Sequence, residues 1–415
     1  MDDPNTSETH STTGGFLSRI KGDIITPEHP DYRQSLHRWA RNAERNAAFV
    51  IFVKDEADVS TAILFAKENK LPIAIRGGGH SPIGASSVEG GVVIDLSRYL
   101  NKVRIDPAKR LAYVGGGAVW EEVGKTTIVH GLEQTRKKIL IYSLAILWPP
   151  YSQRDTVFSG TVIFHGKQLE SLVAVTKEWN SNGSPKEAMM FVLTCDPTGV
   201  PIILCQSFFN GSEKEVREKF KKLYDVGPVA DMTKEVPYET PNPLQNPYVR
   251  PGNGAYWKGV AHKGPDLQPM VNAHQKATEI SQGGKTYVQV VYEWFHLFKI
   301  NSVPAGATAY RRIPDPNCSV IIGWPGEAHS DEKVDETRTF AHRIADCIAG
   351  GESNLKDVKS QGYANYDPEG VLGDKNEVKD KAQVAFGDNY PALQRVKKKY
   401  DPDNICNRWF AITPA

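Results

Sequence analysis

The sequence predicts an α+β protein of two domains, on three observations. A strand–helix–strand unit in the N-terminal third ends in a run of glycines, Gly77-Gly78-Gly79, that passes to the next strand without opening a helix. From about Thr156 the pattern changes to long apolar strands alternating with helices, which packs most simply as an antiparallel sheet with helices on one face. The chain has 415 residues, 40% apolar and 24% charged, enough to bury two cores.

Composition excludes several function classes. The net charge is +1 and no basic run is longer than the three residues of Lys397-Lys398-Lys399, so a nucleic-acid partner has no electrostatic footprint. Cys195, Cys205, Cys318, Cys347 and Cys406 lack CxxC spacing, which favours reduced thiols over a disulfide framework or a zinc site. Residues 1–30 read as a disordered lead-in, polar and acidic where a signal peptide needs a basic and then an apolar region, and a cytoplasmic location is expected. Ile139 to Trp148 is apolar but too short to span a membrane.

The elements follow in order. Asp31 to Asn46 has helical character, with Leu36, Trp39 and Ala40 on one face; the strand Ala48 to Val53 and the helix Glu56 to Asn69, with Val59, Ile63 and Ala66 at helical spacing, lead to the strand Pro72 to Ile75. After the glycine loop come strands Val92 to Leu96, Lys102 to Ile105 and Leu111 to Val114, and a helix Val119 to His130. Gly124-Lys125-Thr126 in that helix imitates the end of a phosphate-binding P-loop, but six residues separate it from Gly117 where that motif has four. The second domain begins with the strand Thr156 to Phe164 and continues through a helix Lys167 to Trp179, a hairpin of Ala188 to Cys195 with Val200 to Ser207, and a helix Glu213 to Tyr224. A helix Leu267 to Ser281, strands Lys285 to Leu297 and Val320 to Trp324, and a helix Asp331 to Ala349 complete it.

Three consecutive residues without a Cβ bring bare backbone close to a ligand, and successive N–H groups in such turns form anion-binding nests suited to a diphosphate. A Rossmann fingerprint is excluded because its glycines must open a helix. The run Arg76-Gly77-Gly78-Gly79-His80-Ser81, with Gly90-Gly91-Val92-Val93-Ile94-Asp95-Leu96-Ser97-Arg98 behind it, closely resembles the flavin-binding loop of the vanillyl-alcohol oxidase (PCMH-type) flavoproteins, in particular the berberine bridge enzyme-like and 6-hydroxy-D-nicotine oxidase-like oxidases.

The resemblance implies a truncated PCMH-type FAD-binding domain over residues 31–150, an antiparallel cap domain over 155–375, and a berberine-bridge-like segment, 376–415, returning to the FAD domain. It implies FAD as cofactor, contacted by Arg76, Gly77, Gly78, Gly79, His80, Ser81, Asp95 and Asn365, with His80 as the site of an 8α-histidyl bond. No cysteine stands in a context for a second bond. The catalytic base is expected from Tyr363 or Tyr366, with Tyr363 preferred because a spacing of three would turn one of them away on a strand; a free tyrosine titrates near 10 and would need a lowered pKa. Tyr256, Trp257 and the stripe Tyr292, Trp294, His296 are candidates for pocket or core.

The activity implied is that of an oxidase removing a hydride from a small organic substrate (an alcohol, sugar, amine or alkaloid-like metabolite), with oxygen as acceptor. Nucleic acid and membrane are not expected partners, and the oligomeric state is left open. The resemblance lapses between Leu132 and Asp155, where Gln134 to Gln153 looks short and irregular, and it departs again at Ile405-Cys406-Asn407-Arg408-Trp409. A missing central segment would leave a sheet edge unpaired and weaken FAD binding. The alternative is a non-catalytic remnant that holds flavin weakly or not at all.

Overall fold

A computed structural model describes residues 15–415 except 17, 83, 110, 131, 134–139, 143–144, 149–150, 153, 247–250, 283, 313–314, 327–329, 351–362 and 367–380. It divides into two compact units: the chain up to Asp155 with Gln245–Gly252 and Asp403–Trp409, and Thr156–Leu244 with Asn253–Pro402 and Phe410–Ala415. The C-terminal run is thus shared, its last helix belonging to the second unit and Asp403–Trp409 to the first.

In the first unit β1 (Asp23–Ile25), β2 (Phe49–Phe52), β3 (Ile73–Arg76) and β4 (Val92–Asp95) form a sheet in the order β1-β2-β4-β3. β4 is parallel to both β2 and β3, and β1 is antiparallel to β2. Helix α1 (Glu56–Glu68) connects β2 to β3. It starts where the extended Asp55 accepts the Asp58 N–H at 3.0 Å, with Glu56 and Asp58 in the positive first turn. Its Ala62, Phe65 and Ala66 pack on Ile51, Val92 and Ile94.

The helix expected over Asp31 to Asn46 is not continuous: a turn at Tyr32–Ser35 is followed by extended chain and a 3₁₀ turn at Arg41–Ala43. The physical reason lies at Arg38, whose Nη1 donates to the carbonyls of Ser35, Leu36 and His37 at 3.2, 3.1 and 2.9 Å. Those oxygens would otherwise continue the helical ladder.

β5 (Val103–Asp106) and β6 (Leu111–Gly115) form a hairpin, followed by α2 (Trp120–Ile128). Gly124-Lys125-Thr126 lies inside α2, where Lys125 pairs with Glu121 at 2.7 Å across one turn. β7 (Leu132–Glu133), β8 (Leu140–Tyr142), β9 (Ala145–Trp148) and β10 (Tyr151–Ser152) come next. β9 pairs antiparallel with β6, from Ala112↔Trp148 to Gly115↔Ala145, and gives the sheet order β5-β6-β9-β8. The expectation of an irregular stretch over Gln134 to Gln153 is corrected for β8, β9 and β10, while 134–139, 143–144, 149–150 and 153 lie outside the described residues. A continuous apolar run lacks the alternation by which a strand is read from sequence.

The second unit is built on an antiparallel sheet of β11 (Thr156–His165), β12 (Glu187–Cys195), β13 (Pro201–Phe209), β14 (Ala230–Asp231), β15 (Lys234–Pro237), β16 (Gly254–Ala261), β17 (Tyr287–Phe295) and β18 (Asn317–Trp324). The order is β14-β11-β13-β12-β17-β18-β16, with β15 also on β11. α3 (Leu169–Ser181), α4 (Leu267–Ser281) and α5 (Asp331–Ala349) lie on one face, where Leu172, Met270, Ala273, Ala341 and Ile344 bury against Phe164, Phe191, Val290 and Val320. Because strand residues alternate between faces, Val192, Leu204, Val291 and Ile321 form a smaller cluster on the other side, with Trp257 against it. α6 (Tyr390–Tyr400) follows the C-terminal 3₁₀ turn at Gly387–Asn389.

Candidate active site

The glycine loop spans from β3 to β4. Arg76 and Asp95, partners in the β3/β4 register, close an ion pair at 2.7 Å in which Asp95 is fully buried. The second Asp95 oxygen accepts the Ser97 N–H at 2.8 Å and the Ser97 hydroxyl at 2.6 Å. Gly79 adopts φ +70°, and its carbonyl accepts the Trp39 N–H at 3.1 Å. A Cβ on Gly77 would come within 2.7 Å of the Gly116 carbonyl, so the two glycine runs of the sequence approach each other here. A Cβ on Gly78 would strike the His80 imidazole. His80 is exposed at its surface, yet partial burial, and then the Arg76 charge, push its pKa below the usual 6.5, which leaves it neutral near pH 7. The Ser81 hydroxyl accepts the Ala85 N–H at 3.2 Å.

Three buried polar atoms around this loop have no partner among the described residues: Arg76 Nε, Ser86 Oγ and Ser87 Oγ. Buried donors are normally satisfied. With a backbone that admits no side chain at Gly77 or Gly78, they fit the diphosphate-bearing part of FAD, which Arg76, Gly77–Ser81 and the loop amides would hold. Among the described residues no group of His, Cys, Asp and Glu is placed to hold a metal, and no helix is long and apolar enough to cross a membrane. All five cysteines are free thiols.

The tyrosines stand on the helix-free face of the second unit. Tyr363 leads into a 3₁₀ turn, Ala364–Tyr366, rather than a strand. A 3₁₀ turn has three residues per turn and aligns i with i+3. Both rings therefore meet, edge to face at 5.2 Å, and the expectation that one would turn away is corrected. Tyr366 also packs on Trp257 at 5.5 Å, and Tyr363 on Tyr310 at 5.9 Å. A Cβ at Gly259 of β16 would meet the Tyr363 carbonyl at 3.1 Å and Tyr366 Cβ at 3.2 Å, so the turn lies directly on the strand.

Two groups not singled out from the sequence organise this turn. Tyr366 donates its hydroxyl to Glu293 Oε1 at 3.1 Å. Asn317 donates its amide to Glu293 Oε2 at 3.2 Å and accepts the Tyr363 N–H at 2.9 Å. Glu293 lies between Tyr292 and Trp294 and faces away from them, as strand alternation requires; a lone acidic residue between two aromatics was the available signal. Asn365 donates its amide to the Tyr363 hydroxyl at 2.6 Å and so belongs with the tyrosines, whereas the other expected cofactor contacts lie in the first unit.

The aromatic stripe is core. Tyr292 and Trp294 stack at 5.6 Å and 9° under the helices, both 1% exposed, with His262 edge-on to each at 5.1 and 4.8 Å. His296 follows β17 and packs on Trp179 and Phe298. Tyr256 is buried with the core, while its neighbour Trp257 reaches the tyrosines.

Comparison with known proteins agrees with this geometry. Residues 47–135 match the model of an FAD binding domain, and residues 362–407 match that of the berberine and berberine-like family. The FAD-linked oxidoreductase pgmH of Aspergillus terreus is 24% identical over 483 aligned positions, covering 96% of this chain and 95% of its own. In structure, 6-hydroxy-D-nicotine oxidase from Arthrobacter nicotinovorans superposes with a TM-score of 0.78 at 18% identity, covering 95% of this chain and 98% of that one. Xylooligosaccharide oxidase from Myceliophthora thermophila C1 superposes with a TM-score of 0.75 at 14% identity, covering 97% and 99%. Fold and site together define an FAD-linked oxidoreductase, with FAD as its cofactor. The chain is similar to the berberine bridge enzyme-like branch of the vanillyl-alcohol oxidase/PCMH-type superfamily, through these two matched segments and the shared fold.

Proposed function

We propose that the protein is an oxidase that removes a hydride from a carbon centre and a proton from the adjoining hydroxyl or amine of a small organic substrate, and passes two electrons and two protons in all to oxygen as peroxide, with FAD joined to His80. When bound, FAD supplies the two-electron acceptor. The observation that carries the reading is the hydrogen bond from Tyr366 to Glu293. A substrate hydroxyl or amine gives its proton to Tyr366 Oη as the phenolic proton passes to Glu293 Oε1, so no free tyrosinate need accumulate and the pKa near 10 of an isolated tyrosine is not an obstacle. Tyr363, linked to Asn365, borders this acceptor and orients the substrate, and Trp257 offers an apolar ring beside it. Two related folds belong to oxidases by name, one of a hydroxynicotine and one of xylooligosaccharides, which supports the reaction class and leaves the substrate to be found. The test is an anaerobic screen of alcohols, sugars and amines for flavin bleaching, followed by a peroxide assay on readmitting air. Bleaching and peroxide support the proposal; flavin-loaded protein that responds to no compound favours the non-catalytic remnant.

A further inference from the structure

Arg38 is 5% exposed, and among the described residues its guanidinium meets only backbone carbonyls. Nη1 serves Ser35, Leu36 and His37, while Nε and Nη2 both donate to the Ser86 carbonyl, at 3.1 and 2.8 Å. Ser86 stands at the far end of the glycine loop. The same short segment grips the loop twice more, through the Trp39 N–H on the Gly79 carbonyl and the Asn42 amide on the Pro82 carbonyl at 2.9 Å. The loop is thereby held on both sides of His80.

The charge is as informative as the bonds. A buried cation is normally paired with a carboxylate, because desolvating it alone is expensive. The Asp95 carboxylate is bonded to Arg76, and the Arg38 guanidinium feels Asp95 and Glu44 only through space, with no ion pair to either among the described residues. Burial first, and Arg76 second, lower the Arg38 pKa to about 10, and it stays charged at neutral pH. Among the described residues, Ser86 Oγ and Ser87 Oγ of this loop and Arg76 Nε at the end of β3 have no hydrogen-bond partner.

We propose that Arg38 is a positioning residue of the flavin site: through the Ser86 carbonyl it fixes the shape of the His80 loop, and its unpaired charge readies that loop for the diphosphate of FAD. The inference rests on the reading of Gly77–Ser81 as the FAD loop. It is tested by the flavin-to-protein ratio and melting temperature of purified wild type, Arg38→Met, Arg38→Lys, Gly77→Val and Asp58→Ala. Asp58 is the structural control, since it accepts the N–H groups of Lys21, Gly22 and Lys54 in the same unit without touching the loop.

Arg38→Met is expected to carry about tenfold less flavin than wild type, Arg38→Lys to recover part of it by restoring the charge, and Asp58→Ala to keep its flavin despite a lower melting temperature. The inference is overturned if Arg38→Met loads like wild type, if its flavin loss is matched by Asp58→Ala at equal melting temperature, or if wild type takes up no flavin. Normal loading of Gly77→Val would sink the loop reading itself, whereas an empty Gly77→Val beside a full Arg38→Met would sink the role of Arg38 alone.

Discussion

Tyr366 and Glu293 share a 3.1 Å hydrogen bond across two chain segments far apart in sequence, and Asn317 holds the carboxylate from its other oxygen. In the proposed reaction this pair takes the substrate proton in two linked stages. Tyr366→Phe and Glu293→Gln should each slow flavin reduction by about 10²–10⁴-fold, the range for a lost general base. The double variant should be little worse than either single one, because the two act as a unit. Rapid-mixing measurement of flavin bleaching checks this; fully additive losses would separate the residues.

Tyr363→Phe, by contrast, removes a hydroxyl that is bonded to Asn365 and not to the carboxylate. The expected result is a raised KM with kcat within about tenfold of wild type, since positioning is lost and the base kept. A collapse of kcat with unchanged KM would return the base to Tyr363.

Asp95→Asn should destabilise the first unit by about 3 kcal/mol, the low end for breaking a buried pair, because the Arg76 side chain keeps 20% of its surface in solvent. It leaves Arg76 without its ion-pair partner and removes a through-space attraction on Arg38. Chemical denaturation followed in parallel with Arg76→Met tests the pairing, and a neutral Asp95→Asn would contradict it.

Stability should fall in mild acid. Burial pushes the His262 pKa down to about 4, so the folded protein keeps this imidazole neutral while the unfolded chain takes up a proton near 6.5. The unfolded state then binds the extra proton between those values, and stability drops as pH falls from about 6.5 to about 4 by roughly 3 kcal/mol, levelling off below. His274 and His80, also lowered, act in the same direction. His262→Phe, which can still pack on Tyr292 and Trp294, should flatten that acid limb in denaturation curves taken at each pH; an unchanged slope would remove His262 as its source.

Much of this was readable from the residues. The glycine run and Asp95 specified a strand-to-strand loop because few arrangements need three bare backbone positions in a row. Helices Leu267–Ser281 and Asp331–Ala349 stand at the bounds expected from the sequence. Glu293 and Asn317 were not, because their meaning depends on strands β17 and β18 being neighbours in register, which no local pattern encodes. The 3₁₀ turn at Tyr363 was hidden for a different reason: a spacing of three means opposite things on a strand and on a three-residue turn. Arg38 was hidden because a side chain that captures helix carbonyls looks, in sequence, like an ordinary residue of that helix.

The most direct test of the account is the flavin content of the chain as it stands, before and after acid precipitation. Protein purified in the presence of FAD should be yellow, with flavin near one per chain that stays with the acid pellet; His80→Ala should still bind flavin but release it to the supernatant. A wild-type protein that is colourless, or a His80→Ala pellet that keeps its flavin, would contradict the account.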